Sequence, residues 1–212
     1  MRILSGREEA SFSYVGATTG LPADPRATLI VDVGGGSTEL ALEIDGALES
    51  YSMQLGCVRV TERALGKGVV SPASAEAANE MIATELDRAW GAVPAFAGLV
   101  GNVRLVGLAG SVSTLAQLDA GLATYDRAAV HHRRLSLATV ELWRDRLAGE
   151  SPEARLERPG MVRGREDVLH AGLFVLAAVM TRLGAAELLT SENDILDGIV
   201  ASLLEPEMRV DP

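Results

Sequence analysis

The feature that most constrains the fold is a run of three glycines between two strand-like segments. Residues 28–31 are a largely apolar run typical of a buried strand, and residues 38–44, after the glycines, predict a second strand. Residues 45–46 are Asp-Gly, the dipeptide of a two-residue primed hairpin turn, so a third strand is predicted over residues 47–53. The segment therefore predicts three antiparallel strands with a glycine bend at the first connection.

The residues beside this glycine bend predict a phosphate site with a divalent cation. Three residues without Cβ let the backbone adopt positive φ and approach a ligand, and the N–H groups of such a bend can converge on phosphate oxygens. Asp32 ends the incoming strand and Glu39 begins the outgoing one, which sets their Cβ atoms about 5 Å apart if they are directly opposite. Mg2+ suits two carboxylates beside phosphate. The alternative is a plain glycine hairpin; the candidate phosphate donors are Gly34, Gly35, Gly36 and Ser37.

A second turn of small residues follows another predicted strand. Residues 103–106 predict a buried strand, residues 107–111 a tight turn, and residues 113–118 a helix. A small-residue loop that leads into a helix N-terminus is a ready phosphate site, which makes Gly110 and Ser111 candidate ligands. The alternative is a glycine turn that is needed only for packing the strand against the helix.

The rest of the chain alternates helical and strand-like segments. Ser71 and Pro72 are typical of a helix N-cap and first helical residue, and Ser136 of a second N-cap. Strands that alternate with helices predict an α/β domain. Helices are predicted over residues 8–15, 72–90, 137–147, 167–183 and 194–204, and a short strand over residues 188–189.

Charge and cysteine content argue against several classes of function. The chain has 19 Lys and Arg against 29 Asp and Glu, a formal charge of −10, so nucleic acid or an anionic membrane is not expected as the main partner. Cys57 is the single cysteine, which fits a reducing compartment. No secretory signal is expected, and the longest apolar stretch is about ten residues, against the roughly 20 that a membrane span needs. We expect a cytoplasmic protein.

Several segments resemble, in the same order along the chain, the Ppx/GppA phosphatase family of the actin, sugar-kinase and heat-shock-chaperone ATPase superfamily. They are LSGREEASFSYVGA, DVGGGSTEL, SMQLGCVRVTE, GLAGSVSTLAQL, PGMVRGREDVLHAGLFVL and SENDILDGIV. The resemblance implies a ribonuclease-H-like fold, a mixed sheet flanked by helices. It also implies that residues 26–212 form the second such domain and that residues 1–25 end the first. The glycine hairpin of that first domain, of Asp-x-Gly-[ST]-Asn-Ser type, does not occur in this sequence.

The resemblance implies an exopolyphosphatase, which hydrolyses terminal phosphate from inorganic polyphosphate and, as a second substrate, from guanosine pentaphosphate. By that resemblance Glu9 is the general base that activates water, while Asp32 and Glu39 hold Mg2+. The glycine bend and Ser37 would grip the terminal phosphates. Phosphoryl transfer needs mostly positioning and charge neutralisation, so one base, one metal ion and backbone donors are a sufficient set. For Glu9 the alternative is a solvated helix charge.

Basic residues elsewhere are less decisive. Arg59 has a planar guanidinium that suits a polyanion channel or a surface salt bridge, and Arg163 and Arg165 leave the same two interpretations open. Residues 131–134 are His-His-Arg-Arg, a run typical of a solvated face and, secondarily, of a contact with a polyphosphate tail. Neither these histidines nor His170 has metal-ligand neighbours, so no zinc site is predicted.

Two other functions stay open. An ATP-dependent kinase fragment fits the superfamily, although the small-molecule kinases lack the SG-x-EEA segment before the hairpin. A catalytically inactive module for polyphosphate or nucleotide binding, or for dimerisation, is the other. In that case the apolar helix over residues 168–180 would be an exposed interface. A homodimer is suggested by the family resemblance and by no other feature of the sequence.

Overall fold

A computed structural model describes residues 6–204, except for the side chains of Arg7 and Glu9. Its strands, in chain order, are β1 (Ala27–Val33), β2 (Thr38–Ile44), β3 (Ala47–Met53), β4 (Val103–Leu108), β5 (Arg134–Ser136) and β6 (Glu187–Thr190). Its helices are α1 (Gly6–Thr18), α2 (Cys57–Val60), α3 (Pro72–Ala92), α4 (Ala109–Asp119), α5 (Arg127–Val130), α6 (Leu137–Ala148), α7 (Pro152–Leu156), α8 (Leu169–Leu183) and α9 (Ile195–Leu204). A π-helical turn, Thr61–Leu65, continues α2, and a 3-10 turn, Pro94–Leu99, precedes β4.

The strands form one mixed sheet in the order β3-β2-β1-β4-β6-β5. β1, β2 and β3 are antiparallel neighbours, β4 and β6 run parallel to β1, and β5 pairs antiparallel with β6. The β2–β3 turn has positive φ at Asp45 (51°) and Gly46 (77°), as a type I′ hairpin requires. The predicted antiparallel hairpins and the α/β class are confirmed.

The main core lies on one face of the sheet, against α3, α4, α6 and α8. Alternation along β1 turns Leu29, Val31 and Val33 to this face, where they join the largest cluster of buried apolar side chains. Helix α3 begins as predicted at Ser71, whose hydroxyl accepts a hydrogen bond from the Ser74 N–H. The sequence pattern therefore places both the sheet face and the long helix that covers it.

Helix α8 is buried along its length, so the expectation of an exposed interface over residues 168–180 is wrong. A helix that is apolar on all sides is stable only inside a core. Here it packs against α6, α2 and α3. Its buried side chains include Leu169, Leu173, Leu176 and Met180. In the part of the chain that the structure describes, no helix has both the length and the apolar character that a membrane crossing needs.

The opposite face of the sheet carries α1, and α9 packs on α1. Ala10 and Ala17 of α1 share a smaller buried cluster with Ile30 of β1. The two helices touch backbone to backbone: a Cβ on Gly16 would lie 2.0 Å from the Asp194 carbonyl oxygen. Helix α1 thus packs on the same sheet as the rest of the chain, while the domain division at residue 25 stays a prediction.

Candidate active site

Asp32 and Glu39 lie directly opposite one another at the bend end of the β1–β2 ladder. Both are half-buried, and the Ser52 hydroxyl donates a 2.8 Å hydrogen bond to Oε1 of Glu39. The facing arrangement that the sequence predicts is confirmed. Among the side chains that the structure describes, which do not include that of Glu9, no cluster of three or more His, Cys, Asp or Glu could hold a metal ion. A carboxylate pair nevertheless fits Mg2+, which takes most of its ligands from water and phosphate.

Glu9 lies in the first turns of α1, but its side chain is outside the described residues. Alternation along β1 turns Asp32 to the same face as Ile30, which shares a buried cluster with Ala10 of α1. The helix that carries Glu9 and the carboxylate pair therefore occupy one face of the sheet. The role of Glu9 as a base stays a prediction.

The glycine bend is held by the N-terminus of α2. The N–H of Cys57 donates to the carbonyl of Gly34, and the N–H of Val58 donates to the carbonyl of Gly35, both at 2.9 Å. These peptide bonds are trans, so the N–H that follows each carbonyl points the opposite way. The N–H groups of Gly35 and Gly36 are thereby turned away from α2, an orientation that suits an anion.

The predicted positive φ in the bend is wrong, since none of its three glycines has one. Limited space accounts for Gly35, whereas a Cβ on Gly36 would meet only ordinary contacts. A Cβ on Gly35 would lie 3.3 Å from Cγ2 of Val58, and a Cβ on Gly56 would lie 2.5 Å from the carbonyl oxygen of Gly35. The missing Cβ atoms therefore let the bend pack closely against the N-terminus of α2, and Gly56 contributes to this close packing.

Arg59 lies beside the bend. A Cβ on Gly36 would be 3.8 Å from Nε of Arg59. Nη1 of Arg59 donates to the backbone carbonyl of Gln54 at 3.2 Å and to its Oε1 at 2.8 Å. Both of these hydrogen bonds go to neutral groups of Gln54, and no ion pair of Arg59 is seen among the described residues, so its role in a polyanion channel stays a prediction. Ser37 is half-buried at the end of the bend, where its carbonyl accepts from the Gly34 N–H.

The second turn has a strained backbone and an arginine against it. Ala109, the first residue of α4, has φ 65°, a left-handed value that costs energy in a residue with a Cβ. A Cβ on Gly110 would lie 1.8 Å from Nη2 of Arg165, so the guanidinium rests on that glycine. Ser111 is 1% exposed, and its hydroxyl donates at 3.5 Å to the carbonyl of Val33. Ser111 thus joins the second turn to the end of β1, and its role as a phosphate donor stays a prediction.

The two turns meet at a cavity of about 530 Å³. Its third wall is the loop before α8, which carries Arg163 and Arg165. Of the predicted phosphate residues, Gly34, Gly35 and Gly110 line it, whereas Gly36, Ser37, Arg59 and Ser111 do not. The full lining is Val33, Gly34, Gly35, Cys57, Val58, Ala109, Gly110, Val162, Arg163, Gly164, Arg165 and Val168.

A glycine in α8, Gly172, packs against residues at the cavity wall. A Cβ on Gly172 would lie 2.5 Å from Oγ of Ser111 and 3.4 Å from Cβ of Cys57. Cys57 is buried in the main core, and burial raises the pKa of its thiol, so it acts as a small packing residue. Gly172 was not predicted; the available signal was a glycine inside an otherwise apolar helix.

The basic run at residues 131–134 is not part of the cavity lining. The rings of His131 and His132 stack with their centroids 3.7 Å apart. Nδ1 of His131 accepts from the N–H of Glu192 at 3.0 Å. The two arginines pair with carboxylates, Arg133 with Asp119 and Arg134 with Glu187. Most side chains of this run are therefore bound to other residues of the protein.

Comparison with known proteins agrees with the fold and the site. The model of the Ppx/GppA phosphatase family matches residues 1–207. The chain is 36% identical over 205 residues to exopolyphosphatase 2 of Mycobacterium tuberculosis, a match that covers 95% of this chain and 63% of that protein. The chain therefore spans less than two thirds of that relative.

Solved structures give the same result. A crystallised exopolyphosphatase-like protein superposes with a TM-score of 0.84 at 31% identity, over 94% of this chain and 67% of that one. A Ppx/GppA family member from Aquifex aeolicus superposes with a TM-score of 0.85 at 22% identity, over 98% and 65%, and shows the fold alone. The resemblance and the fold class predicted from the sequence are confirmed: this chain, with its actin-like mixed sheet flanked by helices, belongs to the Ppx/GppA phosphatase family.

Proposed function

We propose that this chain supplies the phosphate-handling part of an exopolyphosphatase. The reaction is Mg2+-assisted attack of water on the terminal phosphate of inorganic polyphosphate, with guanosine pentaphosphate as a second candidate substrate. One observation carries the proposal: two glycine turns and two arginines meet at one cavity, and its lining residue Val33 directly follows Asp32 of the facing carboxylate pair.

Local donors explain how a chain of net charge −10 would bind a polyanion. The guanidinium of Arg165 rests on Gly110 in the cavity wall, and Arg163 is two residues away. The outward N–H groups of Gly35 and Gly36 add neutral donors, and Arg59 lies beside them. Guanidinium groups and converging backbone amides are the donors that phosphate oxygens prefer.

Besides these phosphate donors, the chemical step needs a base and a metal ion. Glu9 would accept a proton from water as the water oxygen bonds to the terminal phosphorus; the bridging P–O bond breaks, and its electron pair stays on the shortened chain. Asp32 and Glu39 would hold Mg2+, which supplies charge neutralisation at the phosphate oxygens when bound. The described residues would orient the chain end and shield it from solvent on the cavity side.

Release of orthophosphate tests this function. The purified chain is incubated with long-chain polyphosphate and Mg2+, without ATP or any acceptor, and free phosphate is measured. We expect release with Mg2+ and none when EDTA removes it. Phosphate transfer only when ATP and an acceptor are supplied would favour the kinase alternative instead.

A phosphate-binding or dimerisation module without turnover is the second candidate. It is favoured because α9 exposes large apolar side chains. Those side chains are Leu196, Val200, Leu203 and Leu204. Polyphosphate retention in equilibrium dialysis without phosphate release, and a dimer in sedimentation equilibrium, would favour this candidate over hydrolysis.

A further inference from the structure

A fully buried arginine lies behind the cavity wall. Arg155 is 0% exposed, and its hydrogen bonds among the described residues go to neutral groups. Nε donates to the carbonyl of Leu147 at 2.6 Å, and Nη2 donates to that of Gly68 at 2.9 Å. Nη1 donates to the carbonyls of Lys67 at 2.8 Å and Glu166 at 2.9 Å. One guanidinium thus joins the end of α6, the turn at residues 67–68 and the loop before α8.

His170, in the first turn of α8, completes this arrangement. It is also 0% exposed. Its Nδ1 lies 3.1 Å from Nη1 of Arg155, and its Nε2 lies 3.1 Å from the carbonyl oxygen of Gly66. Arginine can only donate, so Nδ1 accepts and Nε2 carries the proton that is donated to Gly66. Nη1 has two hydrogens for three acceptors, so its bond to Nδ1 is shared with one of the two carbonyls. Both bonds require a neutral imidazole, and burial lowers the pKa of His170 to about 4, with the Arg155 charge as the second cause.

The position of Glu166 links this pair to the cavity. Its carbonyl, held by Arg155, directly follows Arg165 in the chain. Short-range bonds also close the loop, from the Arg165 N–H to Val162 and from the Leu169 N–H to Arg165. These fix the shape of the loop but not its place on the protein. Two contacts with other segments fix the place: the buried bond from Arg155 to the Glu166 carbonyl, and an ion pair between Nζ of Lys67 and Oδ2 of Asp167 at 2.7 Å. The Lys67 side chain is exposed, and exposed ion pairs contribute little, so the bond to Arg155 is the main one.

We propose that Arg155 and His170 are positioning residues, which hold the loop at residues 162–168 so that Arg163 and Arg165 face the phosphate chain. The proposal rests on the function proposed above. Arg155 itself is buried and touches no ligand. Its effect passes through the Glu166 carbonyl to the neighbouring Arg165, whose guanidinium lies against Gly110.

Lysine cannot replace arginine in this position. A guanidinium presents five N–H groups in a fixed plane, whereas an ammonium is a point charge with three donors. Arg155→Lys keeps the charge but cannot satisfy four carbonyls from three segments. We therefore expect the loop to be released while the charge of the site is unchanged.

The test compares Arg155→Lys with Arg158→Lys, a control that conserves charge in an arginine paired with Glu150. Hydrogen–deuterium exchange of residues 162–168 is measured without ligand, and the Kd for tripolyphosphate is measured by calorimetry. In Arg155→Lys we expect the exchange rate of the loop and the Kd for tripolyphosphate each to rise about tenfold. A factor of this size corresponds to the loss of one charged hydrogen bond. The control should match the wild type. Wild-type exchange in the loop of Arg155→Lys would overturn the proposal.

A second pair of variants separates positioning from general destabilisation. His170→Asn keeps a neutral acceptor for Arg155, whereas His170→Leu removes it. We expect His170→Asn to keep the wild-type loop exchange and tripolyphosphate affinity. In His170→Leu we expect loop exchange to rise and the affinity to fall, with kcat for polyphosphate retained and KM raised about tenfold. Equal behaviour of the two variants, or exchange that rises equally throughout α3, α6 and α8, would contradict a positioning role. If Arg155→Lys does not fold, the comparison of His170→Asn with His170→Leu decides whether the pair positions the loop.

The two proposals fail in different ways. If the wild-type chain binds no tripolyphosphate and releases no phosphate, the proposed function is wrong. The ligand-free exchange measurements still decide whether Arg155 fixes the loop. If the wild type binds tripolyphosphate and the loop is unaffected by Arg155→Lys, the function stands and the positioning role is wrong.

Discussion

Glu9 and Asp32 have different roles in the proposed reaction, and single substitutions separate them. Glu9→Gln keeps the size of the side chain but removes the proton acceptor. We expect kcat for polyphosphate to fall at least about 100-fold, the lower range for a general base, with the affinity for polyphosphate unchanged. Phosphate release and equilibrium dialysis measure the two quantities, and Glu8→Gln is the matched control. Wild-type turnover in Glu9→Gln would remove Glu9 from the reaction.

Asp32→Asn tests the metal-holding pair. The amide is a weaker ligand for Mg2+ than the carboxylate, so we expect the Mg2+ concentration at half-maximal hydrolysis to rise about tenfold, as for one lost charged contact. Glu43→Gln is the control, because Glu43 lies on the same strand as Glu39 but at its exposed far end. An unchanged Mg2+ titration in Asp32→Asn would contradict metal binding there.

Local and distant residues differ in how well the sequence predicts them. Asp32 and Glu39 are seven residues apart and are joined by a short bend, so the hairpin register alone places them opposite. Arg165 rests on Gly110, 55 residues earlier, and no periodicity or turn signal reports such a contact. The positive φ assigned to the bend was wrong because glycine composition does not distinguish backbone freedom from close packing.

At the scale of elements, α1 and α9 approach each other closely where they cross, at Gly16 and Gly198. A Cβ on Gly16 would lie 2.0 Å from the Asp194 carbonyl, so Gly16→Ala must push the helices apart. We expect a loss of about 2 kcal/mol in the free energy of unfolding, as for other overpacked sites. Urea denaturation followed by circular dichroism measures it.

Gly91→Ala is the matched control for this helix contact. Gly91 lies near the end of α3, has no positive φ, and a Cβ there would meet no atom within 4 Å. Alanine should therefore raise stability slightly, by up to about 1 kcal/mol, through helix propensity. A Gly16→Ala variant as stable as Gly91→Ala would contradict the close approach of the two helices.

The elements that the sequence missed depend on tertiary contacts. β2 and β3 have the predicted bounds because their alternation and their Asp-Gly turn are local signals. Helix α2 and the π-helical turn after it were not predicted. The first N–H groups of α2 bond to the bend carbonyls of another segment, and no capping side chain marks its start. Helix α4 begins at Ala109, four residues earlier than predicted, through the strained turn.

At the scale of the whole molecule, stability should depend on pH through His170. Its pKa is lowered from 6.5 to about 4 by burial and then by Arg155, while Asp167 acts in the opposite direction. Between these two pH values the unfolded chain binds a proton at this residue that the folded chain does not. The free energy of unfolding therefore falls as the pH falls through this range, by about 3 kcal/mol in total, and levels off below it.

His170→Asn isolates this contribution from those of other groups. Burial also lowers the pKa of His131 and His132, so they shift stability in the same direction. Urea denaturation of the wild type and of His170→Asn at a series of pH values gives the difference between the two. We expect the difference in free energy of unfolding between the wild type and His170→Asn to shrink as the pH falls. Parallel curves would contradict a buried neutral His170.

The hydrogen bonds from α2 to the carbonyls of Gly34 and Gly35 give the bend its shape before any anion arrives. A loop that must first be ordered subtracts conformational entropy from the binding free energy, whereas a preorganised one does not. In the proposed function, a phosphate chain end would therefore meet donors that are already aligned. Its rate of capture would then depend on charge and ionic strength rather than on a closing step of the bend.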